Sequence, residues 1–331
     1  MRTVDNFHLK NFSDDEVEIL NLLSDGNFHS GVELGALVNK SRMTITSIMR
    51  GFRNVGLLIN SVKGRGHQLS IPFSRIDCHS PLLAFIPQVV HFDSMDSSNL
   101  YMLKNRELAD GSVVVAEFQT SGRGRRGRSF ISLYGTQLMF SYGVNFAELT
   151  ATQGLSILVG IVVAKVLKSN GLENIGIKWP NDIYCNGLKA GGILVESTAS
   201  TNGCFVVIGI GLNISNSFLE QGEKQQQISQ GFICLESACK FKIDRTKLLA
   251  EIVHELTSSI MKFKSESLAP FVDEFASLDT YANCFVKLVN DNKIITGKNL
   301  GINETGALKI ETERGIETIL CGDMSLRPLS S

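Results

Sequence analysis

The clearest hydrophobic pattern near the start of the chain predicts a short helix at about residues 42–53. One face of this helix would carry apolar side chains at i, i+3, i+4 and i+7, namely Ile45, Ile48, Met49 and Phe52. The opposite face is polar and basic, with Arg42, Thr44, Thr46, Ser47 and Arg50. Ser41 can cap the helix, because a serine hydroxyl accepts a bond from an otherwise unpaired N–H group.

Two further helix starts precede this one, and two strands follow it. Each start carries the S/T-x-x-E capping box, in Ser13 with Glu16 and in Ser30 with Glu33. Only a tight turn separates the second helix from the third, and the stretch VGLLINSVKGRGHQLSI then predicts two strands around a glycine-rich tip. This order predicts a winged helix-turn-helix whose recognition helix is 42–53.

Charge is divided unevenly over this region. Residues 5–33 contain seven acidic side chains and one lysine, whereas residues 40–67 contain six basic side chains and no acid. Clustered cations with acids kept away favour binding to the phosphates of DNA. We therefore predict a DNA-binding set on the helix and wing: Arg42, Thr44, Thr46, Ser47, Arg50, Lys63 and Arg65. The alternative is a small three-helix bundle whose basic face is only solvated.

Beyond this module the pattern changes to short β-like runs around a few helices. The stretch 71–86 contains prolines and predicts a linker. Strands are predicted at VVHFDSM, SVVVAEFQT and QLMFSYGV. Helices are predicted near 98–108, near 151–169 with threonines as N-caps, and over RTKLLAEIVHELTSSIMKFKSE. The polar run EQGEKQQQISQG predicts a mobile loop, and CFVKLV, KIITGK and ALKIET predict a small SH3-like barrel.

Composition limits the class of protein and the number of domains but does not indicate a function. The chain has 331 residues, 43% hydrophobic and 20% charged, with a formal net charge of −1, as in ordinary soluble proteins of two or three domains. We expect neither a signal peptide nor a membrane span, because the most apolar run is interrupted by Lys165. The seven cysteines form no C-x-x-C pair, so reduced thiols in a cytoplasmic protein are expected, with no side-chain cluster for a metal.

The stretch GRGRRGR at residues 122–128 is the first candidate for chemistry. It satisfies the dinucleotide fingerprint G-x-G-x-x-G, but that motif needs a helix directly after it, and SFISLYGTQLMFSYGV is strand-like. An RGG-type nucleic-acid tail would sit in a long disordered tract rather than between two strands. An active-site loop remains, with glycines for closure over a ligand and arginines for a carboxylate and a polyphosphate.

The second candidate is a hairpin within IKWPNDIYCNGLKAGGILVE, residues 177–196, around the turn Asn186–Gly187. With a two-residue loop, Asp182 would face Gly191, and one face of the sheet would carry Asp182, Tyr184, Lys189 and Gly191. This places an aspartate diagonally next to a lysine, with room above them. The alternative is a surface hairpin with a stray ion pair, which would contribute little energy.

Taken together, GRGRRGR, KWPND followed by Lys189, GGILVE and IGIGLN resemble the biotin protein ligases. With the helix-turn-helix in front and the small barrel behind, the chain resembles the bifunctional bacterial form, which is also the repressor of the biotin synthesis operon. The resemblance implies an α+β fold: a winged helix-turn-helix at 1–70, a linker at 71–86, a class II synthetase-like ligase domain with a mixed or antiparallel sheet at 87–276, and an SH3-like barrel at 277–331.

The resemblance also implies an activity and its partners. Biotin and ATP, with Mg²⁺, would give biotinyl-5′-AMP, and biotin would pass to one lysine of the biotin carboxyl carrier protein of acetyl-CoA carboxylase. Biotinyl-5′-AMP would be the corepressor, acting on a homodimer that binds operator DNA. One alternative is a lipoate-type ligase of the same fold, which lacks this loop and this front domain. The other is a ligand-sensing transcription factor without ligase activity, which would need no electrophilic lysine.

Site residues carry over from the resemblance position by position. Lys189, Arg125 and Asp182 would be catalytic, with Lys189 bridging the biotin carboxyl and the α-phosphate and Arg125 guarding the intermediate. Asp182 would either orient the acceptor lysine or help hold magnesium. Biotin would be held by Ser97, Ser98, Asn99, Gln119, Arg123, Gly124, Arg125 and Lys189. The nucleotide would be held by Arg125, Arg128, Lys189, Asn213 and Phe232, the last stacking on adenine.

Overall fold

The N-terminal part of the computed structural model is a winged helix-turn-helix; the described residues are 9–200, 203–215, 231–289, 294–320 and 324–329. Its elements are α1 (Asp14–Leu23), α2 (Gly31–Leu37), α3 (Arg42–Asn54), β1 (Ile59–Val62) and β2 (Gly66–Leu69). Both predicted capping boxes form, and the Ser41 hydroxyl accepts from the backbone N–H of Thr44. On α3 the side chains of Ile45, Met49 and Phe52 are buried, and the polar face is exposed.

A seven-stranded sheet forms the centre of the molecule, with strand order β3-β4-β5-β9-β8-β7-β6. Only the pair β3–β4 is parallel. The strands are β3 (Val89–Phe92), β4 (Val113–Ala116), β5 (Gln137–Phe146), β6 (Ile175–Lys178), β7 (Asp182–Cys185), β8 (Leu188–Ser200) and β9 (Gly203–Asn213). The mixed sheet with helices agrees with the predicted fold class.

Helices cover both faces of this sheet. They are α4 (Ser98–Lys104), α5 (Leu155–Ser169), α6 (Leu235–Cys239), α7 (Arg245–Glu266) and α8 (Val272–Leu278). The main core lies between the sheet and the helices α5, α7 and α8, and a smaller cluster lies under α4. A stretch that includes α5, Leu149–Ser169, is long and apolar enough to cross a membrane, and 56% of its apolar window is buried.

Two predicted helix ends were wrong. The helix expected near 98–108 ends at Lys104, where Asn105 leaves the helical conformation and bonds its side chain to the carbonyl of Tyr101. The helix expected from about 151 begins at Leu155, after a short 3₁₀ turn, and its N-cap is Gly154 rather than a threonine. Gly154 adopts φ +83°, a left-handed conformation that a threonine would occupy only with strain.

The hairpin register also differs from the prediction by one residue. Cys185 pairs with Leu188 and Tyr184 with Lys189, as expected, but a bulge then shifts the ladder, so that Asp182 faces Gly192 and not Gly191. A prediction from strict in–out alternation of side chains misses such a bulge, because the bulge adds one residue that has no pairing partner on the neighbouring strand. The shift leaves Gly192 as the glycine beside Asp182 and Lys189.

The C-terminal part is a five-stranded antiparallel sheet with order β13-β12-β11-β10-β14. Its strands are β10 (Phe285–Val289), β11 (Ile294–Ile302), β12 (Leu308–Thr312), β13 (Gly315–Ile319) and β14 (Ser325–Pro328). It is joined to the central domain by a buried hydrogen bond, in which the indole N–H of Trp179 donates to the carbonyl of Gly306 over 3.0 Å.

The stretch expected to be a linker packs against the central domain. Ile76, Leu83 and Ile86 are buried in the main core, and the backbone N–H of Ile76 donates to the carboxylate of Glu117. The connection between the winged helix-turn-helix and the central sheet is therefore held by core contacts and not only by the covalent chain. Free thiols, as expected, are found at the cysteines of the described residues: Cys78, Cys185, Cys204, Cys234, Cys239 and Cys284.

Candidate active site

A cleft opens at one end of the central sheet, between the loop 122–128 and the hairpin of β7 and β8. The loop, the turn after β6, the strands β8 and β9 and the C-terminal residues Met324–Leu326 all line it. The two stretches that the sequence singled out, 122–128 and Lys189, therefore meet at one cavity. If the loop 122–128 and Lys189 lay far apart, no shared cleft would support the prediction of an enzyme.

The loop is closed at its neck by backbone bonds rather than followed by a helix. The N–H of Phe130 donates to the carbonyl of Gly122 over 2.8 Å, and the N–H of Gly124 donates to the carbonyl of Arg128 over 2.7 Å. Arg126 adopts a left-handed conformation with φ 59° at the tip. No helix follows up to Thr136, so the dinucleotide interpretation does not apply.

The loop arginines are directed towards the cavity by polar partners on the sheet. Arg125 Nη1 donates to Asn181 Oδ1 over 3.1 Å, and Arg123 Nη2 lies 3.0 Å from Glu196 Oε1. Arg123, Gly124, Arg125 and Arg128 all line the cleft. Four arginine side chains, including Arg126, give this cavity a cationic rim suited to phosphates.

Lys189 and Asp182 form a close ion pair in the cavity. Lys189 Nζ lies 2.6 Å from Asp182 Oδ1, and the two side chains are 35% and 18% exposed. A Cβ at Gly192 would lie 3.6 Å from both charged atoms, so a glycine here keeps the space above them open. A partly exposed ammonium held by one carboxylate retains N–H bonds to offer to an incoming anion.

A small polar pocket lies next to this pair, where α4 begins. Ser97 caps α4, and Ser97, Ser98 and Asn99 are 2%, 3% and 4% exposed. The Ser98 N–H donates to Gln119 Oε1 over 3.0 Å, and Asn99 Nδ2 donates to Glu196 Oε2 over 3.0 Å. Buried side chains that are fixed in this way can present donors and acceptors to a compact polar ligand head.

Two predicted nucleotide residues do not line the cleft formed by the described residues. Asn213 is buried, and its Oδ1 accepts from Gln137 Nε2 over 3.1 Å. Phe232 is half-buried against Leu133 and Cys234, and its backbone pairs with that of Lys189. The predicted mobile loop, EQGEKQQQISQG, lies outside the described residues except for Gly231.

Sequence reasoning missed one buried cation and one contribution from the C-terminus. Lys178 lines the cleft, is 5% exposed, and donates from Nζ to Tyr184 OH over 3.1 Å. Burial lowers the pKa of Lys178, against the opposing effect of Asp182. The sequence feature that could have indicated Lys178 is its place at the end of the apolar run IGIK, because a lysine is rarely buried unless it has a partner. No local pattern pointed to Met324–Leu326.

The predicted DNA-binding side chains lie apart from the cleft, on the winged helix-turn-helix. Arg42, Thr44, Thr46, Ser47 and Arg50 are exposed on α3, and Lys63 and Arg65 are exposed at the tip of the wing. The Arg65 guanidinium lies 4.2 Å from the centre of the Phe28 ring, which holds it on the wing surface. No group of three His, Cys, Asp or Glu side chains that could hold a metal occurs in the described part of the chain.

Comparison with known proteins agrees with this architecture. Residues 91–213 match the biotin/lipoate A/B protein ligase family, and residues 286–327 match the biotin protein ligase C-terminal domain. The chain is 36% identical to the bifunctional ligase/repressor BirA of Salmonella typhimurium, over 93% of this chain and 96% of that protein. The Escherichia coli protein of the same name is 35% identical, over 94% and 97%.

A solved structure agrees as well. Biotin protein ligase from Aquifex aeolicus in complex with biotin and ATP superposes with a TM-score of 0.64 at 31% identity, over 73% of this chain and 99% of that one. The front domain, the ligase core and the C-terminal sheet together account for the full-length similarity to the two bifunctional proteins. The chain belongs to the biotin protein ligase family, and within it to the bifunctional ligase/repressor proteins.

Proposed function

We propose that this protein joins biotin to ATP and transfers the biotinyl group to one lysine of the biotin carboxyl carrier protein. The observation that carries the proposal is the single cleft where the arginine-rich loop, the Lys189–Asp182 pair and the polar pocket at Ser97–Asn99 meet. The family relationship supports biotin and ATP as the substrates. Magnesium accompanying ATP is part of the proposal.

In the first step a biotin carboxylate oxygen attacks the α-phosphorus of ATP, and pyrophosphate leaves. Two anions must approach each other, so the barrier falls when fixed cations share their charge. Lys189 is assigned to the carboxylate and the α-phosphate, and Arg125 and Arg128 to the phosphates. The pocket of Ser97, Ser98, Asn99 and Gln119, with Arg123 and Gly124, is assigned to biotin.

In the second step the acceptor lysine amine attacks the biotinyl carbonyl, AMP leaves, and the amine loses a proton. The mixed anhydride hydrolyses readily in water, so closure of the loop 122–128 protects it until the carrier arrives. Asp182 Oδ1 lies 2.6 Å from Lys189 Nζ, and we assign it either to orienting the incoming amine or to magnesium. Asn213 and Phe232 keep a proposed role in nucleotide binding.

The direct test of the ligase proposal uses the full chain with biotin, ATP, magnesium and a carrier domain. We expect the carrier to gain one biotinyl group at a single lysine, measured by mass spectrometry. Biotin-dependent exchange of pyrophosphate into ATP should accompany it. If neither is observed with a carrier that another ligase can modify, the ligand-sensing transcription factor becomes the better interpretation.

We further propose that biotinyl-5′-AMP makes the protein a repressor, with DNA binding assigned to residues 1–70. Adenylate binding would favour a homodimer, and two winged helix-turn-helix modules would then fit a two-fold operator. Carrier protein awaiting biotin would compete with dimerisation. Sedimentation and operator binding, each measured with and without biotin plus ATP, test this coupling, and an operator affinity that biotin plus ATP leave unchanged would contradict it.

A further inference from the structure

Glu196 on β8 connects the arginine-rich loop to the polar pocket at the start of α4. Its Oε1 lies 3.0 Å from Arg123 Nη2, and its Oε2 accepts from Asn99 Nδ2 over 3.0 Å. Arg123 and Asn99 both line the cleft, whereas Glu196 is not among the described residues that do so. One carboxylate outside the cleft therefore holds two side chains inside it.

The position of Glu196 is set by the central sheet. Side chains two residues apart on a strand point to the same face, so Glu196 follows Leu194, which lines the cleft. In the ladder with β9, Leu194 pairs with Gly209 and Glu196 pairs with Val207. The Glu196 side chain is only 20% exposed. A paired strand therefore supplies a fixed anchor for an arginine that belongs to a loop.

The Asn99 amide is held in one orientation. Ser141 Oγ donates to its Oδ1, while its Nδ2 donates to the carbonyl of Leu194 over 3.2 Å and to Glu196. A Cβ at Gly209 would collide with this amide, so a glycine on β9 leaves the space that Asn99 occupies. Because these bonds use both ends of the amide, the end that faces Glu196 is always the donor.

Both partners of Glu196 are donors, and this requires a carboxylate. A carboxylate has two acceptor oxygens and no hydrogen, so each oxygen can accept one of the two bonds. A glutamine would turn an NH₂ group towards either Arg123 or Asn99, and that bond would be lost. An aspartate is shorter by one methylene, so its oxygens would not reach both donors without a movement of the backbone.

We propose that Glu196 is a positioning residue that sets Arg123 against the polar pocket, so that the pocket selects biotin by its carboxylate. A guanidinium has several N–H donors, and those not used by Glu196 can bind the carboxylate of the ligand. The ion pair orders the Arg123 side chain in advance, so binding does not have to supply that ordering. Glu196 touches no substrate. The inference rests on the proposed function, because it takes biotin as the ligand.

The test compares Glu196→Gln with Glu251→Gln in the full chain. Glu251 on α7 is a matched control, because it is also a half-buried glutamate that accepts from an asparagine amide, Asn170 Nδ2, and lies near a cation, Lys247 Nζ at 3.7 Å. Calorimetric titration with biotin, without ATP, measures the Kd. We expect Glu196→Gln to raise it by about tenfold, since a charge-assisted bond and the ordering of a long side chain are lost. Glu251→Gln should bind as wild type.

The same titration with biotinamide tests selection by the carboxylate. In biotinamide a neutral amide replaces the carboxylate, so a displaced Arg123 costs this ligand less. We therefore expect a much smaller difference between wild type and Glu196→Gln with biotinamide than with biotin. An equal loss for the two ligands would overturn the inference, because it would assign the effect to the pocket around Asn99 and not to Arg123.

A double-mutant cycle tests whether Glu196 acts through Arg123. In the Arg123→Ala background Glu196 has lost the partner in question, so adding Glu196→Gln should change the Kd for biotin by less than about twofold. A tenfold loss that persists in this background would contradict the proposed route. The KM for ATP should stay near the wild-type value in Glu196→Gln, since the residues assigned to the phosphates keep their contacts.

Glu196→Asp provides a second variant in case Glu196→Gln does not fold, which circular dichroism checks. It keeps the charge but shortens the side chain, and it should weaken biotin more than biotinamide. Either variant binding biotin as tightly as wild type does would overturn the inference. Carrier biotinylation by the wild type separates this outcome from failure of the proposed function, because that failure abolishes biotinylation, whereas a wrong role for Glu196 leaves it intact.

Discussion

Two lysines of the cleft differ in burial, and this difference gives them different tasks. Lys189 is partly exposed and paired with Asp182, so it can move onto a substrate anion without losing a deeply buried partner. Lys178 is nearly buried against Tyr184, where its charge is costly unless an anion arrives. The task of each lysine in this cavity therefore depends on how far its side chain is exposed to solvent.

Lys189→Ala should abolish most of the adenylation while leaving the fold intact. The ammonium is assigned to charge that develops in the transition state, and loss of one such donor costs about 10²–10³-fold in rate. Biotin-dependent pyrophosphate exchange measures the loss, and circular dichroism checks the fold. Lys287→Ala, on β10 of the C-terminal sheet, is the control and should behave as wild type. Exchange at the wild-type rate in Lys189→Ala would contradict the assigned role.

Because Lys178 lines the cleft, we assign it to the phosphates of ATP, and ATP binding should then weaken at alkaline pH. Because burial lowers its pKa, Lys178 loses its proton below the range of an ordinary lysine, and its attraction for phosphate then falls. The KM for ATP should therefore rise as pH increases through that range. Initial rates of pyrophosphate release between about pH 7 and pH 10 measure the profile, since ordinary lysines titrate near pH 10.4.

Two variants of Lys178 test this assignment, one that keeps the charge and one that removes it. Lys178→Arg keeps a charge that does not titrate in this range, so its KM for ATP should stay low as pH rises. Lys178→Met carries no charge at any pH, so its KM should be high and independent of pH. An alkaline rise that persists in both variants would assign the titration to another group.

At the scale of elements, α3 and the loop 122–128 each present a cationic surface on a well-defined backbone. The helix is specified locally, since the cap, the apolar stripe and the basic face are all encoded within residues 41–54. The loop 122–128 is different, because its shape depends on bonds between residues that its own sequence pattern does not pair. Its short 3₁₀ turn at Arg125–Gly127 includes a left-handed arginine that no propensity would predict.

Loss of Arg42 or Arg50 from α3 should weaken DNA binding and reduce its salt dependence. Each phosphate contact that is removed lowers the slope of log affinity against log salt by about one. Fluorescence anisotropy with a duplex at several salt concentrations measures the slope. Arg314→Ala, in the turn between β12 and β13, removes an arginine from the other end of the molecule and should leave the slope unchanged. Equal slopes in the wild type and in all three variants would favour the solvated three-helix bundle.

Arg125→Gly should release the adenylate before transfer is complete. Arg125 holds the loop to Asn181, and without that bond the loop closes less tightly over the intermediate. Bystander proteins should then become biotinylated on exposed lysines, which mass spectrometry detects. Arg126→Gly removes the same charge from the next position but keeps the contact with Asn181, so it should release much less. Equal release from the two variants would point to total loop charge instead of the Arg125 contact.

At the scale of the whole molecule, buried ion pairs connect segments that are distant in sequence. Glu117 comes directly after β4, and its Oε1 accepts from the backbone N–H of Ile76 in the stretch 71–86. Its Oε2 lies 2.7 Å from Arg245 Nη1 at the start of α7. Burial opposes ionisation of Glu117, but Arg245, His91 and the backbone N–H of Ile76 together outweigh it and lower the pKa of Glu117 to about 2. The carboxylate is therefore charged in the folded protein at neutral pH.

Glu117→Gln should destabilise the protein by about 3–5 kcal/mol at neutral pH, because it leaves the buried Arg245 without its partner. A carboxyl group with a lowered folded-state pKa stabilises above its unfolded value, near 4.5, and this contribution is lost as pH falls towards 2. The difference between wild type and variant should therefore narrow between about pH 4.5 and pH 2.

Urea unfolding at a series of pH values measures this difference in the free energy of unfolding. The exposed Glu107→Gln serves as the control, since it removes a carboxylate of the same size from the surface. A difference that stays constant between neutral and acid pH would show that packing, and not the ion pair, is responsible for the loss.

Much of the fold and part of the site followed from short-range pattern. The capping serines, the stripe of α3, the Asn186–Gly187 turn and the length of α7 are local, because propensity, periodicity and turn geometry act over a few residues. The expectation that the loop 122–128 lies near Lys189 was confirmed, although it came from chemistry and family resemblance. The bulge between Ile183 and Tyr184 was missed because it depends on how β7 pairs with β8, and the early end of α4 was missed because periodicity does not show that Asn105 leaves the helical conformation.

The sequence by itself determined the elements of this protein, their order, and the charged and polar groups available for chemistry. Only the tertiary structure decided which of those groups share a cavity, that Lys178 and Met324–Leu326 belong to it, and that the expected linker is packed. It also decided that Phe118 and Tyr134, on either side of the loop 122–128, pack against the core of the winged helix-turn-helix. The physical reason is that periodicity and capping act within one segment, whereas burial, ion pairing and pKa depend on neighbours brought together by folding.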